Sequence, residues 1–219
     1  MTNAQIITLL TKGFFDSLWI LAGSTFFGTV FGFPLGIILT LTRKDGLYPQ
    51  EVVYLVLSRF VNLFRSIPFY ILVVALMPLS RFVVGTSIGI KATIFALSVG
   101  AIPFVARLTE NTLHEVDGDV VDAVITMGAT KLQVVKMLLK ETLPSLLSGL
   151  SVTMIMLIGY SAMAGLMGGG GLGDIAIRYG YYRFNYQVMY YCLILLIILV
   201  EVIQTSSSFI VKRLDKRAR

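Results

Sequence analysis

Few residues in this chain could do chemistry, and their spacing argues against most of it. Gly159-Tyr160-Ser161 sets a hydroxyl beside a glycine, as a serine nucleophile would need, but the apolar spans hold no histidine or lysine to act as its base. His114 is the one histidine and cannot complete a metal site or a proton relay by itself. Cys192 is the one cysteine, which excludes an internal disulfide framework and any cysteine-based metal cage. The run Gly168 to Gly171 invites a phosphate-loop reading, yet no Gly-Lys-Ser/Thr follows and no strand precedes it. It reads instead as a close-packed turn. Glu201 is an acid within an apolar span and so a functional candidate by default. It also lies in the half nearest the basic tail, where an arginine or the headgroup zone would satisfy it. No catalytic residue and no metal-ligand set emerges.

What remains is a stretch suited to binding another surface. Asp119 to Pro144 reads DVVDAVITMGATKLQVVKMLLKETLP, two short helices meeting at a glycine. Asp119 can cap the first, with Asp122 bonding back as in a capping box. Val120, Val121, Val124, Ile125 and Met127 follow at helical spacing. Gly128 suits the left-handed position just past a helix end. Thr130 and Gln133 form a second capping box, and the helix they open carries Leu132, Val135, Leu138 and Leu139 on one side. The bland alternative, on pattern alone, is an amphipathic helix lying on the membrane surface.

The elements that hold the elbow are membrane spans. A chain of 219 residues that is 56% hydrophobic, with mean hydropathy +0.84, is too apolar to cover its own surface in water. The net charge of +6 does not point to nucleic acid, because the basic residues fall between apolar spans and bunch at the C-terminus. The composition thus predicts an all-α, polytopic protein with five transmembrane helices in a single domain spanning residues 1–219. The first span is Ser17 to Thr42, a membrane helix rather than a cleaved signal, with Gly28, Gly32 and Gly36 forming a face for close helix approach. The second is read as one helix from Glu51 to Leu79, kinked at Pro68, with Arg59 and Arg65 snorkelling to the near interface. The third runs from about Ile90 to Arg107, after which His114 is read as a solvated loop residue. The fourth lies within Thr142 to Gly173. The fifth, from about Phe184 to Val211, follows a tyrosine-rich segment read as an interfacial belt.

Placing the elbow inside assigns ten Lys/Arg (43, 44, 131, 136, 140, 212, 213, 216, 217, 219) to the inner segments and five (12, 81, 91, 178, 183) to the outer ones. That asymmetry predicts an outside N-terminus and a cytoplasmic C-terminus.

The elbow also carries a resemblance. D-A-V-x-x-x-G, with Asp122, Ala123 and Gly128, resembles the E-A-A-x-x-x-G loop of importer-type ABC transporter permeases. Two features depart from that pattern: the acid is Asp rather than Glu, and Leu143-Pro144 comes later after Gly128 than the family has it. Arg65-Ser66-Ile67-Pro68-Phe69 resembles the amino-acid-importing branch. Gly159 to Gly165, the glycine run and Arg178-Tyr179-Gly180-Tyr181 resemble the permease of methionine importers. Together these stretches cover about residues 15 to 213.

The resemblance implies a type I importer permease fold in the inner (plasma) membrane of a bacterium. It implies an ATPase-coupling role for Asp122, Ala123, Val124, Ile125, Met127, Gly128, Ala129 and Thr130. A second permease copy, two ABC ATPase subunits and an extracytoplasmic substrate-binding protein would be its partners, within the lipid bilayer. ATP and magnesium would belong to the ATPase, so this chain would bind no cofactor and catalyse nothing. The implied cargo is methionine, in its L-form and as an open alternative its D-form, or else another amino acid. Candidates for the pathway lining are Ser66, Tyr160, Ser161 and Met163. Met154, Met156, Met163 and Met167, each taken singly, read as ordinary gap-filling residues before substrate contacts. A secondary transporter would instead want buried ionisable pairs and an internal repeat. The sequence offers only Glu201, and no repeat.

Overall fold

The computed structural model describes residues 2–166 and 168–214, and among these every regular element is helical. Four single helices and one bent pair, counted as one span, are long and apolar enough to cross a bilayer. They are α1 (Asn3–Thr42), a bent pair α2 (Glu51–Ser66) and α3 (Phe69–Val84) that together make one span, α4 (Ile90–His114), α7 (Leu143–Gly165) and α9 (Tyr186–Leu214). Between α4 and α7 lies the elbow, α5 (Gly118–Thr126) and α6 (Lys131–Glu141). A short α8 (Gly171–Ile175) and a π-helical turn (Ala176–Tyr181) precede α9.

α4 is the most enclosed of the spans, and α1 lies along it. The glycine face on α1 makes this approach possible. A Cβ at Gly28 would stand 2.6 Å from Ala101 Cβ, one at Gly32 2.7 Å from the Ile102 carbonyl oxygen, and one at Gly36 2.5 Å from the Ala106 carbonyl oxygen. Since 28, 32 and 36 meet 101, 102 and 106 in the same order, α1 and α4 run parallel. The span between them must therefore return, and α3 does so. Phe69 and Leu72 pack on Gly100 while Val73 packs near Ala96. α7 likewise runs against α4, from Gly149 beside Leu108 to Ala164 and Gly165 at the far end.

The second span differs from the single kinked helix expected from the sequence. α2 and α3 are bent by 106° at Ile67-Pro68. Pro68 has no N–H to continue the helix and drives the preceding residue extended, and Ile67 sits at φ −75°, ψ 124°. α2 then lies across the elbow-side ends of α1 and α4. Its Val61 is buried against Leu39 and Ala106.

Polar groups lock it there. α4 runs seven residues beyond Arg107, the end expected from the sequence, and His114 is its last residue. The turn carrying Arg107 and Glu110 is thereby brought under α2. Arg107 Nη1 pairs with the Glu110 carboxylate, and its Nη2 donates to Ser58 Oγ (2.9 Å) and Asn62 Oδ1 (2.8 Å). The Tyr54 hydroxyl donates to the other Glu110 oxygen at 3.0 Å. Glu110 is only 2% exposed. Tyr54, Ser58 and Asn62 recur every four residues, a polar stripe along one side of α2 that could have announced such a partner.

At the far side the glycine run is close-packed, as its composition suggested. Gly171 lies against Ser17, whose Oγ accepts from the Leu172 N–H at 2.8 Å. Thr93 donates to the Gly169 carbonyl at 2.9 Å. The first turns of α1 extend past the expected Ser17 start and pack Ile6 with Leu172, Ile175, Val188 and Cys192. Tyr181, Tyr182, Tyr186, Tyr190 and Tyr191 are exposed around the junction into α9, in keeping with an interfacial belt. Met167 and the tail from residue 215, which carries Lys216, Arg217 and Arg219, lie outside the described residues.

Two stability predictions follow from this packing. Gly36→Leu should lower stability by about 1–3 kcal/mol or prevent folding, since backbone rather than a flexible side chain blocks it. Gly118→Ala, with nothing within 4 Å of its Cβ position, should stay within about 0.5 kcal/mol. A thermal-shift assay of the purified permease compares them, and equal transitions would contradict the packing. Arg107→Met should cost about 3–5 kcal/mol by stranding the Glu110 carboxylate, and adding Glu110→Leu should recover most of the loss. A double mutant no better than the single would show that the pair is not the coupled unit described.

Candidate functional site

The elbow is built much as its residue pattern requires, except at its start. Asp117, not Asp119, caps α5: it has the non-helical backbone a cap needs (φ −57°, ψ 130°), and its carboxylate accepts from the Asp119 N–H at 3.0 Å. Asp119 is already inside the helix. Gly128 takes φ +85°, and the N–H groups of Gly128 and Ala129 return to the carbonyls of Ile125 and Val124. Thr130 and Gln133 make the reciprocal capping box that opens α6.

One face of the elbow is anchored. Val121, Val124 and Ala129 pack with Leu113 at the end of α4 and with Val134 and Leu138 of α6. Lys131 Nζ donates to the Leu47 carbonyl at 2.9 Å and stands 3.8 Å from the centroid of the Tyr48 ring, so the loop after α1 braces α6. The other face is bare. Ile125 is 43% exposed, Met127 86% and Leu132 64%, with Asp122, Ala123 and Thr130 exposed beside them. A cluster of large apolar side chains held rigidly and left uncovered is suited to a protein partner.

The four pathway candidates are distributed unevenly. Tyr160 stacks on Phe69, with ring centroids 4.3 Å apart and planes 5° from parallel, and lies 6.5 Å from Phe104. Met163 is on the same side of α7 and 48% exposed. Ser66 is exposed at the α2–α3 break, its hydroxyl donating to the Asn62 carbonyl at 2.9 Å. Ser161 is not brought to this face: it is buried and donates to the Ile158 carbonyl. Tyr160 thus joins α7 to α3, Met163 and Ser66 are exposed, and Ser161 is buried.

Other sequence candidates find quieter places. Met154 packs into the central core and Met156 lines a cavity between α4 and α7. His114 lies 3.8 Å from the Asp45 carboxylate. Glu201 is exposed on α9, with no ion pair among the described residues. No group of acids, His or Cys among the described residues could hold a metal ion.

Residues 32–219 match the family described as the binding-protein-dependent transport system inner membrane component. The probable D-methionine transport system permease protein MetI of Vibrio cholerae serotype O1 is 45% identical over 210 residues, covering 95% of this chain and 93% of that protein. The protein of the same description in Haemophilus influenzae is 42% identical over 204 residues, covering 93% and 96%. Among solved structures, a chain from inward-facing conformations of the MetNI methionine ABC transporter superposes with a TM-score of 0.95. It is 44% identical, and the match covers 99% of this chain and 100% of that one. A helical protein with several membrane spans, an elbow between the third and fourth, and this extent of matching belongs to the family of binding-protein-dependent transport system inner membrane components.

Proposed function

We propose that this chain is the membrane-spanning subunit of an ATP-driven methionine importer, and that its elbow couples it to a separate ATPase. The observation that carries the coupling is the two-faced elbow. One side is fastened to the end of α4, and the other presents Ile125, Met127 and Leu132 with nothing over them. A partner pushing on that face would move α4, and with it the spans packed along α4. Identity of 45% to a protein described as a probable D-methionine transport system permease supports methionine as cargo.

In this reading a nucleotide-driven pair of ATPase subunits needs two elbows. One chain supplies one, so two copies assemble about a two-fold axis. ATP and its magnesium are bound and turned over on the ATPase, and this chain contributes no catalytic group. A substrate-binding protein delivers the amino acid from the side opposite the elbow. The cargo passes beside Ser66, Tyr160 and Met163, and the elbow faces the cytoplasm. When the ATPase pair closes, the elbows approach and the pathway rocks from inward-open to outward-open.

Gly128→Val and Ile125→Asp test the coupling. At φ +85° a valine is strained by on the order of 1–3 kcal/mol, and because nothing lies near its Cβ position the effect is on the backbone of the turn. The aspartate puts a charge into the apolar contact. Both variants should reach the membrane at near-normal level, co-purify with markedly less ATPase and import methionine poorly. Full ATPase association and full uptake in both would reduce the elbow to a membrane-surface helix. Loss of another amino acid's uptake, with methionine uptake intact, in a deletion strain would keep the coupling and sink the cargo.

Orientation is tested separately in a Cys192→Ser background. A cysteine replacing Thr2 should react with an impermeant thiol reagent added to intact cells, and one replacing Asp119 should not. The reverse pattern would turn the elbow outward and remove its access to ATP.

A further inference from the structure

Arg65 ends α2 with a charge that nothing nearby neutralises. Among the described residues its guanidinium has no hydrogen bond and no ion pair, and its one close contact is the Phe104 ring, whose centroid is 5.2 Å away. Phe104 lies ten residues before the end of α4, about 15 Å in from the elbow side at 1.5 Å per residue. The 106° bend holds α2 across α4, so the side chain is kept at the level of Phe104. A cation without a counter-charge within a spanning region is tolerated where it faces water or an anion.

Space for both adjoins it. A cavity of about 390 Å³ opens between α2, α4 and α7, bounded by Arg65, Phe104, Asn111, Val152, Thr153 and Met156. That is within the roughly 300–1,000 Å³ of small-molecule sites. Arg107 also borders the cavity, but its charge is paired with Glu110 and its Nη2 donates to Ser58 and Asn62. No acid lines it. Arg65 is therefore the available anion-binding group, with an apolar wall opposite and the Asn111 amide and Thr153 hydroxyl as oxygen acceptors for an ammonium. Met156, Tyr160 and Met163 follow one another along one side of α7, which makes the cavity the elbow-side continuation of the face already described.

We propose that this cavity is an exit-side holding site for the transported amino acid, in which Arg65 binds the α-carboxylate and Phe104, Val152 and Met156 receive the side chain. It rests on the reading of the chain as an amino-acid importer. The charge on Arg65 makes the site select for a free carboxylate, and the apolar wall favours a flexible, uncharged side chain.

The test uses the whole transporter, permease with its ATPase, in nanodiscs without nucleotide. Val152→Cys in a Cys192→Ser background reports on the cavity through its rate of thiol modification, read by peptide mass spectrometry. Methionine should slow the modification several-fold. Methioninamide, the same molecule without the carboxylate charge, should not. Arg65→Gln should abolish the protection and Arg65→Lys should keep part of it, with ATPase co-purification checking that each variant assembles. Equal protection by the amide, or undiminished protection in Arg65→Gln, overturns the assignment. So does slowing by phosphatidylglycerol in place of phosphatidylcholine with no effect of methionine, which would make this a lipid-headgroup site. ATP-dependent methionine uptake by the same complex in vesicles separates the two levels. Uptake without protection refutes the holding site alone, whereas no uptake by the unsubstituted complex refutes the importer reading and the site with it.

Discussion

The close approach of α1 to α4 is the contact on which the other elements depend. Water cannot drive two apolar helices together inside a bilayer, so association rests on van der Waals contact and on how near the backbones can come. Gly28, Gly32 and Gly36 remove the side chains that would keep them apart, and the gaps left are smaller than any Cβ could occupy. The helices are parallel, which obliges the intervening span to cross back. The return of α3 and the antiparallel course of α7 against α4 are consequences of that pairing.

α4 then becomes the shared wall of the molecule. α1, α2, α3 and α7 all pack on it, and its last turn contributes Leu113 to the elbow cluster. A rigid helix with contacts along its whole length links the elbow physically to the spans, because it cannot shift at one end without disturbing its neighbours. The Lys131 contact to the loop after α1 adds a second link, joining α6 to the end of the other central helix.

The Arg107–Glu110 network is the costly part of this arrangement. Burying the pair gains little by itself over apolar side chains of similar volume, but with Tyr54, Ser58 and Asn62 satisfied by it, one position of α2 is strongly preferred. That position, with the break at Pro68, leaves Ser66 exposed and Arg65 facing a cavity. The structural ion pair of α4 and the unpaired cation of α2 thus differ in whether an acid is within reach.

Features that depend on neighbouring residues were legible in the chain. The apolar runs, the left-handed Gly128, the Thr130–Gln133 capping box and the small face of α1 each follow from spacing of a few residues, which is the scale on which helices and caps form. The start of α5 was misplaced by two residues because two aspartates could each act as cap, and only the backbone leaving α4 selects between them. Pro68 announced a break but not its size. A missing N–H sets where a helix stops, while the 106° between α2 and α3 is set by what α2 packs against. The same holds for the partners of Arg107, which lie 45 and 49 residues away, and for the Tyr54 that reaches Glu110 across 56. Local sequence determined which segments are helices. Which side chains meet was decided by helices crossing in three dimensions, because a hydrogen bond reaches only about 3 Å and the chain order does not encode which distant groups come that close.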